Sequence, residues 1–95
     1  MSAKMYTTEE IPALLHERGI NATFQRLEIA RVMFTRGGHF SAEEVFTLVN
    51  GEQPHVSKAT VYNTLGLFAE TGLIHQVIVD PTKVFYDATT QPHHH

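Results

Sequence analysis

Ser57-Lys58-Ala59-Thr60-Val61-Tyr62-Asn63-Thr64-Leu65 decides the reading of this chain, because it demands a helix with two unlike faces. Ser57 is a preferred N-cap, Val61, Leu65 and Phe68 recur at i, i+4 and i+7, and Gly72 follows as a stop. The apolar stripe anchors the helix. Turned away from it at helical spacing lie Ala59, Tyr62, Asn63 and Gly66, two hydrogen-bonding side chains near the N-terminus with a small residue behind them. A helix that lies in a DNA major groove is built this way.

The flanking sequence places this helix fourth. Thr7 or Thr8, ahead of Glu9 and Glu10, opens a first helix of about three turns in which Ile11, Leu14 and Leu15 recur at helical spacing until Gly19. Pro12 sits early enough in it to be tolerated. Thr23 caps a second helix with Leu27, Ala30, Met33 and Phe34 as its buried stripe and Gly37-Gly38 as its stop. Ser41-Ala42-Glu43-Glu44 has capping-box spacing and opens a third, carrying Val45, Phe46, Leu48 and Val49. Asn50 to Pro54 reads as a loop, and the fourth helix runs from about Ser57 to Thr71. After Gly72 the period becomes extended. Leu73 to Val79, a turn at Asp80-Pro81-Thr82, and Lys83 to Asp87 predict a hairpin. Helices followed by a terminal hairpin predict a mainly α fold with a small β-hairpin, a winged helix-turn-helix, as one domain over residues 1–95.

Composition narrows the function classes. At 95 residues the chain supports a single core and no second domain, and 42% hydrophobic content excludes a disordered chain. Cysteine is absent, so this stretch offers no disulfide, thiolate zinc site or cysteine nucleophile. The apolar runs are short, and no charged-then-apolar leader opens the sequence, so the expectation is a cytoplasmic protein without membrane contact. Net charge argues against a nucleic-acid partner: seven Lys and Arg against ten Asp and Glu gives −3. The distribution softens this, since residues 53–95 carry Lys58 and Lys83 against Glu70, Asp80 and Asp87. Phosphate contacts then fall to few cations, helped by hydroxyls and helix N-termini, and non-specific affinity should be weak.

The strings Thr23-Phe24-Gln25-Arg26, Gly38-His39-Phe40-Ser41-Ala42-Glu43-Glu44-Val45, Val56 to Leu65, Glu70-Thr71-Gly72-Leu73-Ile74, Phe85-Tyr86-Asp87 and Pro92-His93-His94-His95 together resemble the ferric-uptake-regulator family of bacterial metal-responsive repressors. The resemblance covers nearly the whole chain in order. It implies an N-terminal winged-helix DNA-binding domain here and a C-terminal dimerisation domain outside these residues, so that the full-length protein is a homodimer on double-stranded operator DNA. Asn63 departs from the arginine usual after the tyrosine in iron-uptake repressors, and Ala59-Thr60-Val61-Tyr62-Asn63 looks more like the peroxide-sensing and iron-response branches. The iron-response branch's Cys-Pro haem motif is absent, which ranks haem below a divalent metal.

The candidate DNA contacts are Ser57, Lys58, Ala59, Thr60, Tyr62 and Asn63 on the helix, with Arg26 at the start of the second helix and Lys83 beside the wing turn as backbone cations. Asn63 suits adenine N6 and N7; Tyr62 suits a thymine methyl or a phosphate. Plainer roles compete: Ser57 and Thr60 as caps, Tyr62 as a half-buried aromatic, Arg26 and Lys83 as solvated surface charges. His39, Asp87, His93 and His95 are the candidate metal ligands, three imidazoles and a carboxylate without thiolate, a set suited to Fe(II) first and to Mn(II) or Zn(II). The resemblance places the regulatory metal on the matching positions. A purification-tag remnant is the competing reading of the terminal histidines, but Phe85-Tyr86-Asp87 and Pro92 continue the family pattern up to them. His16, His55 and His75 read as isolated surface or satisfied histidines. Two other classes stay open: a metal-dependent hydrolase, for which no positioned base or nucleophile stands out, and a winged-helix protein-interaction module, which the negative charge suits equally well.

Overall fold

The computed structural model describes residues 6–51 and 55–88. A single 3-10 turn (Thr8–Glu10) leads into α1 (Ile11–Glu17), then α2 (Phe24–Arg36), β1 (His39–Ser41), α3 (Ala42–Asn50), α4 (Lys58–Glu70), β2 (His75–Asp80) and β3 (Lys83–Asp87). The first expected helix is therefore split. Pro12 has no N–H to give the Thr8 carbonyl, and the Ile11 N–H donates there instead at 3-10 spacing.

The caps follow their residues. The hydroxyls of Thr23, Ser41 and Ser57 accept the N–H groups of Arg26, Glu44 and Thr60, and Glu44 completes a capping box by accepting the Ser41 N–H at 2.8 Å. At the far end of α4, Gly72 takes φ 82° while the Leu73 and Gly72 N–H groups return to the Phe68 and Ala69 carbonyls. That left-handed turn closes the helix, and Arg18 adds a cationic donor to the Thr71 carbonyl at 3.3 Å.

Val61, Leu65 and Phe68 are fully buried, as the stripe required, and they meet Leu15, Ile29, Ala30, Met33, Phe34 and Val45 in one core. Burying each such side chain contributes about 1.5–3 kcal/mol. In the second helix Ile29 and Val32 join the buried side, while Leu27 lies half-buried at its edge.

The sheet has three strands, not the two of the expected hairpin. Its order is β1-β3-β2, all antiparallel, with His39 opposite Asp87, Phe40 opposite Tyr86 and Ser41 opposite Phe85. Gly37 and Gly38, at φ 76° and 92°, turn the chain back so that His39–Ser41 runs along β3. Three residues are too few to show alternation, which is why the sequence hides β1. The hairpin also starts later than expected: Leu73 and Ile74 are core residues bonded to the end of α4, and β2 begins at His75. The architecture is a winged helix.

Candidate nucleic-acid interface and metal ligands

The outward side of α4 is built from the residues that the periodicity turns away from the core. Lys58, Ala59, Tyr62, Asn63 and Gly66 are all exposed, Tyr62 at 47%, while Thr60 is partly covered and Thr64 buried. A Cβ added at Gly66 would meet nothing within 4 Å, so the face is open behind the polar pair. Ser57 acts as the cap, and its hydroxyl also donates to Thr60 Oγ1 at 2.9 Å. The Lys58 ammonium lies 5.6 Å from the centre of the Phe46 ring, close enough for the ring face to hold the cation at the start of the helix.

The wing stands beside this face. A groove of about 400 Å³ between them is lined by Ser41, Glu43, Tyr62, Thr82, Lys83 and Val84, among others. Lys83 is exposed. Asp80 at the wing turn is held below the usual carboxylate range, first by the Thr82 N–H and then by the Thr82 hydroxyl, both at 2.8 Å, with the nearby Lys83 charge adding to them. Arg26 is partly covered, and its guanidinium donates to the Asn21 carbonyl at 3.1 Å, bracing the entry to α2 while leaving further donors.

His39 and Asp87 come together. The imidazole Nε2 stands 3.2 Å from the Asp87 carboxylate, the two side chains being 49% and 21% exposed. Two donor atoms on one divalent ion at about 2.1 Å stand about 3.0–3.4 Å apart, so this pair fits a shared ion. His93 and His95 fall outside the described residues. Among the described residues, no group of three or more His, Cys, Asp or Glu could hold a metal ion.

His55 and His75 are both exposed, as surface histidines should be. His75 pairs in register with Asp87 on the other flank of β3, and His55 Nε2 is 4.0 Å from Glu28, with its ring 5.8 Å from that of Phe24. Sequence reasoning also passed over the exposed Phe24 (62%), Ile78 (74%) and Val84 (44%), and the buried Asn50. Nothing in a linear pattern separates an exposed apolar strand residue near a hairpin turn from a core one. Asn50 was hidden because Asn-Gly after an apolar run reads as a plain loop start.

The ferric uptake regulator family's sequence profile matches residues 17–95. The peroxide-responsive repressor PerR of Staphylococcus aureus (strain Mu50 / ATCC 700699) is 31% identical over 87 residues, covering 92% of this chain and 59% of that protein. Among solved structures, a manganese uptake regulator superposes with a TM-score of 0.75 at 32% identity, covering 94% of this chain and 62% of the other. The ferric uptake regulator from Francisella tularensis with iron gives 0.72 at 28% identity, covering 80% and 58%. This chain thus spans about three fifths of the length of these relatives.

Proposed function

This chain belongs to the ferric uptake regulator family, and from that premise we propose that it is the DNA-reading part of a metal-responsive bacterial transcriptional repressor. One observation carries the reading: the residues α4 leaves exposed are those that can address a base edge, while its opposite side is fully buried. Asn63 offers a carbonyl and an amino group to adenine N6 and N7, and Tyr62 offers its ring to a thymine methyl or its hydroxyl to a phosphate. Lys58, Ser57 and Thr60 at the start of α4, with Arg26 and Lys83, reach phosphates on either side.

His39 and Asp87, together with His93 and His95, would hold a divalent metal, Fe(II) first and Mn(II) or Zn(II) as alternatives. The 3.2 Å pairing of the first two supports this. An ion bound there supplies a cross-link between β1, β3 and the residues after them. His39 comes from the strand before α3 and Asp87 from the end of the wing, so ligation would fix the wing and the outgoing chain against the helices. In a homodimer, assembled through a C-terminal domain outside these residues, that would select one spacing of the two recognition helices and so match two half-sites. Such a protein works in the cytoplasm. No helix among the described residues is long and apolar enough to cross a membrane.

The test is selection of duplexes from a random-sequence pool by the intact protein, with and without Fe(II), Mn(II) or Zn(II), followed by footprinting at several salt concentrations. A metal-dependent footprint whose affinity falls steeply with salt is the expected result. No footprint on any duplex would favour a protein-interaction module. A footprint whose metal response survives His39→Ala, Asp87→Ala, His93→Ala and His95→Ala, each made separately, would move the sensor elsewhere.

A further inference from the structure

A buried amide at the joint between α3 and α4 makes every hydrogen bond it can, and no role given above uses it. Asn50, the last residue of α3, is 7% exposed. Its side-chain NH2 donates to the Phe46 carbonyl at 2.9 Å and the Val56 carbonyl at 3.0 Å. Its side-chain oxygen accepts the His55 N–H at 2.7 Å and the Val56 N–H at 2.8 Å. Two donors and two acceptor positions are all that an asparagine has.

These bonds tie the last turn of α3 to the two residues that precede the Ser57 cap. Residues 55 and 56 belong to no helix or strand, so Asn50 gives their backbone the partners that a ladder gives elsewhere. Val56 is itself buried, at 4% exposure, and pins the joint to the core. We propose that Asn50 is the positioning residue of the recognition helix: it sets the angle at which Tyr62 and Asn63 are presented, and with it the discrimination between base sequences. The inference rests on the DNA-reading proposal. Tyr62 and Asn63 lie five and six residues beyond Ser57, so a tilt of about 10° at the joint moves them by about 1.5 Å, more than the roughly 0.5 Å that a specific contact tolerates. Long cationic side chains on phosphates absorb such a shift. Discrimination therefore depends on Asn50, and non-specific affinity does not.

Asn50→Asp keeps the size and both acceptor positions while removing both donors. It is compared with the parent in the intact protein on two probes at one salt concentration, a duplex that the parent selects from a random pool and a scrambled duplex of equal length. The expected result is an affinity ratio between the two probes at least tenfold lower, with scrambled-duplex affinity within twofold of the parent and helix content unchanged by circular dichroism. A folded Asn50→Asp protein that keeps the parent's ratio overturns the inference and leaves the DNA reading intact. Should the variant not fold, amide hydrogen exchange on the DNA-free parent decides. Protection at His55 and Val56 supports a preset joint, and exchange at open-loop rates overturns it. A parent that prefers no duplex ends the DNA reading and this inference together.

Discussion

α3 and α4 both begin at a serine whose hydroxyl accepts the N–H three residues on, yet their first turns carry opposite charge. Ala42-Glu43-Glu44 places two carboxylates at the positive end of the α3 dipole, and one of them closes a capping box. Lys58-Ala59-Thr60 places none at the start of α4, where Thr60 occupies the position of that glutamate. α3 is the helix optimised for its own stability. α4 leaves its end uncompensated and its outward face polar, which suits a helix that meets an anion outside the chain. The net charge of −3 hides this, because it averages carboxylates that sit on other elements.

The largest effect should come from the outward face. Tyr62→Ala and Asn63→Ala should each cost about 1–3 kcal/mol of affinity for the selected duplex with the thermal unfolding of the domain little changed. Thr47→Ala on the exposed side of α3 should leave binding at the parent level. Equal losses on both helices in a footprinting titration would erase the distinction between them.

Giving α4 the first turn of α3 should separate stability from binding. Thr60→Glu creates a capping box with Ser57 and should raise unfolding stability by about 0.5 kcal/mol. It also puts a carboxylate where the proposed phosphate contacts fall, so duplex affinity should fall at least tenfold, or about 1.4 kcal/mol. Unfolding and titration on one preparation check the pair, and a stabilised protein with parental affinity would show that this end faces no phosphate. The reverse change is smaller. Glu44→Ala removes the box from α3 and should cost about 0.5–1 kcal/mol in thermal unfolding while leaving duplex binding unharmed.

The same contrast explains how much was legible beforehand. Helix caps, stops and the Val61-Leu65-Phe68 stripe are local signals, and each was readable because the cause lies within one or two turns of the residue. β1 was not, since its pairing with β3 spans more than forty residues of sequence and its three residues carry no period of their own. The site divides in the same way. The exposure of Tyr62 and Asn63 followed from helical phase alone. The closeness of His39 to Asp87 follows from the β1–β3 register, which only the fold supplies. Asn50 was illegible for a further reason: its four bonds close on a turn that has no pattern, so nothing in its neighbours marks it as more than a helix end.

Smaller still is the expected effect of the two cations proposed to meet the DNA backbone. Lys83→Ala or Arg26→Ala should weaken binding to selected and scrambled duplexes alike and lower the slope of log affinity against log salt by about one. Arg26 should show the weaker effect, because its guanidinium already gives one donor to the Asn21 carbonyl, whereas Lys83 stands exposed at the groove edge. A loss confined to the selected duplex would make either residue a base reader instead.

The smallest effect belongs to the wing turn. Asp80 accepts the Thr82 N–H and hydroxyl, and these bonds hold its native pKa below the ordinary carboxylate value of 3.8. A carboxyl whose pKa is depressed by folding stabilises the native state above its unfolded pKa and loses that contribution as pH falls through its native pKa. The carboxylate is fully exposed to solvent, so the contribution is slight. Asp80→Asn should therefore melt marginally below the parent at neutral pH, with the gap closing as pH is lowered past 3.8 and further. The variant should bind duplexes slightly more tightly, since it removes a negative charge from the wing beside Lys83. Melting curves that keep a constant gap across that acid range would show that turn geometry, and not the charge, is what Asp80 supplies.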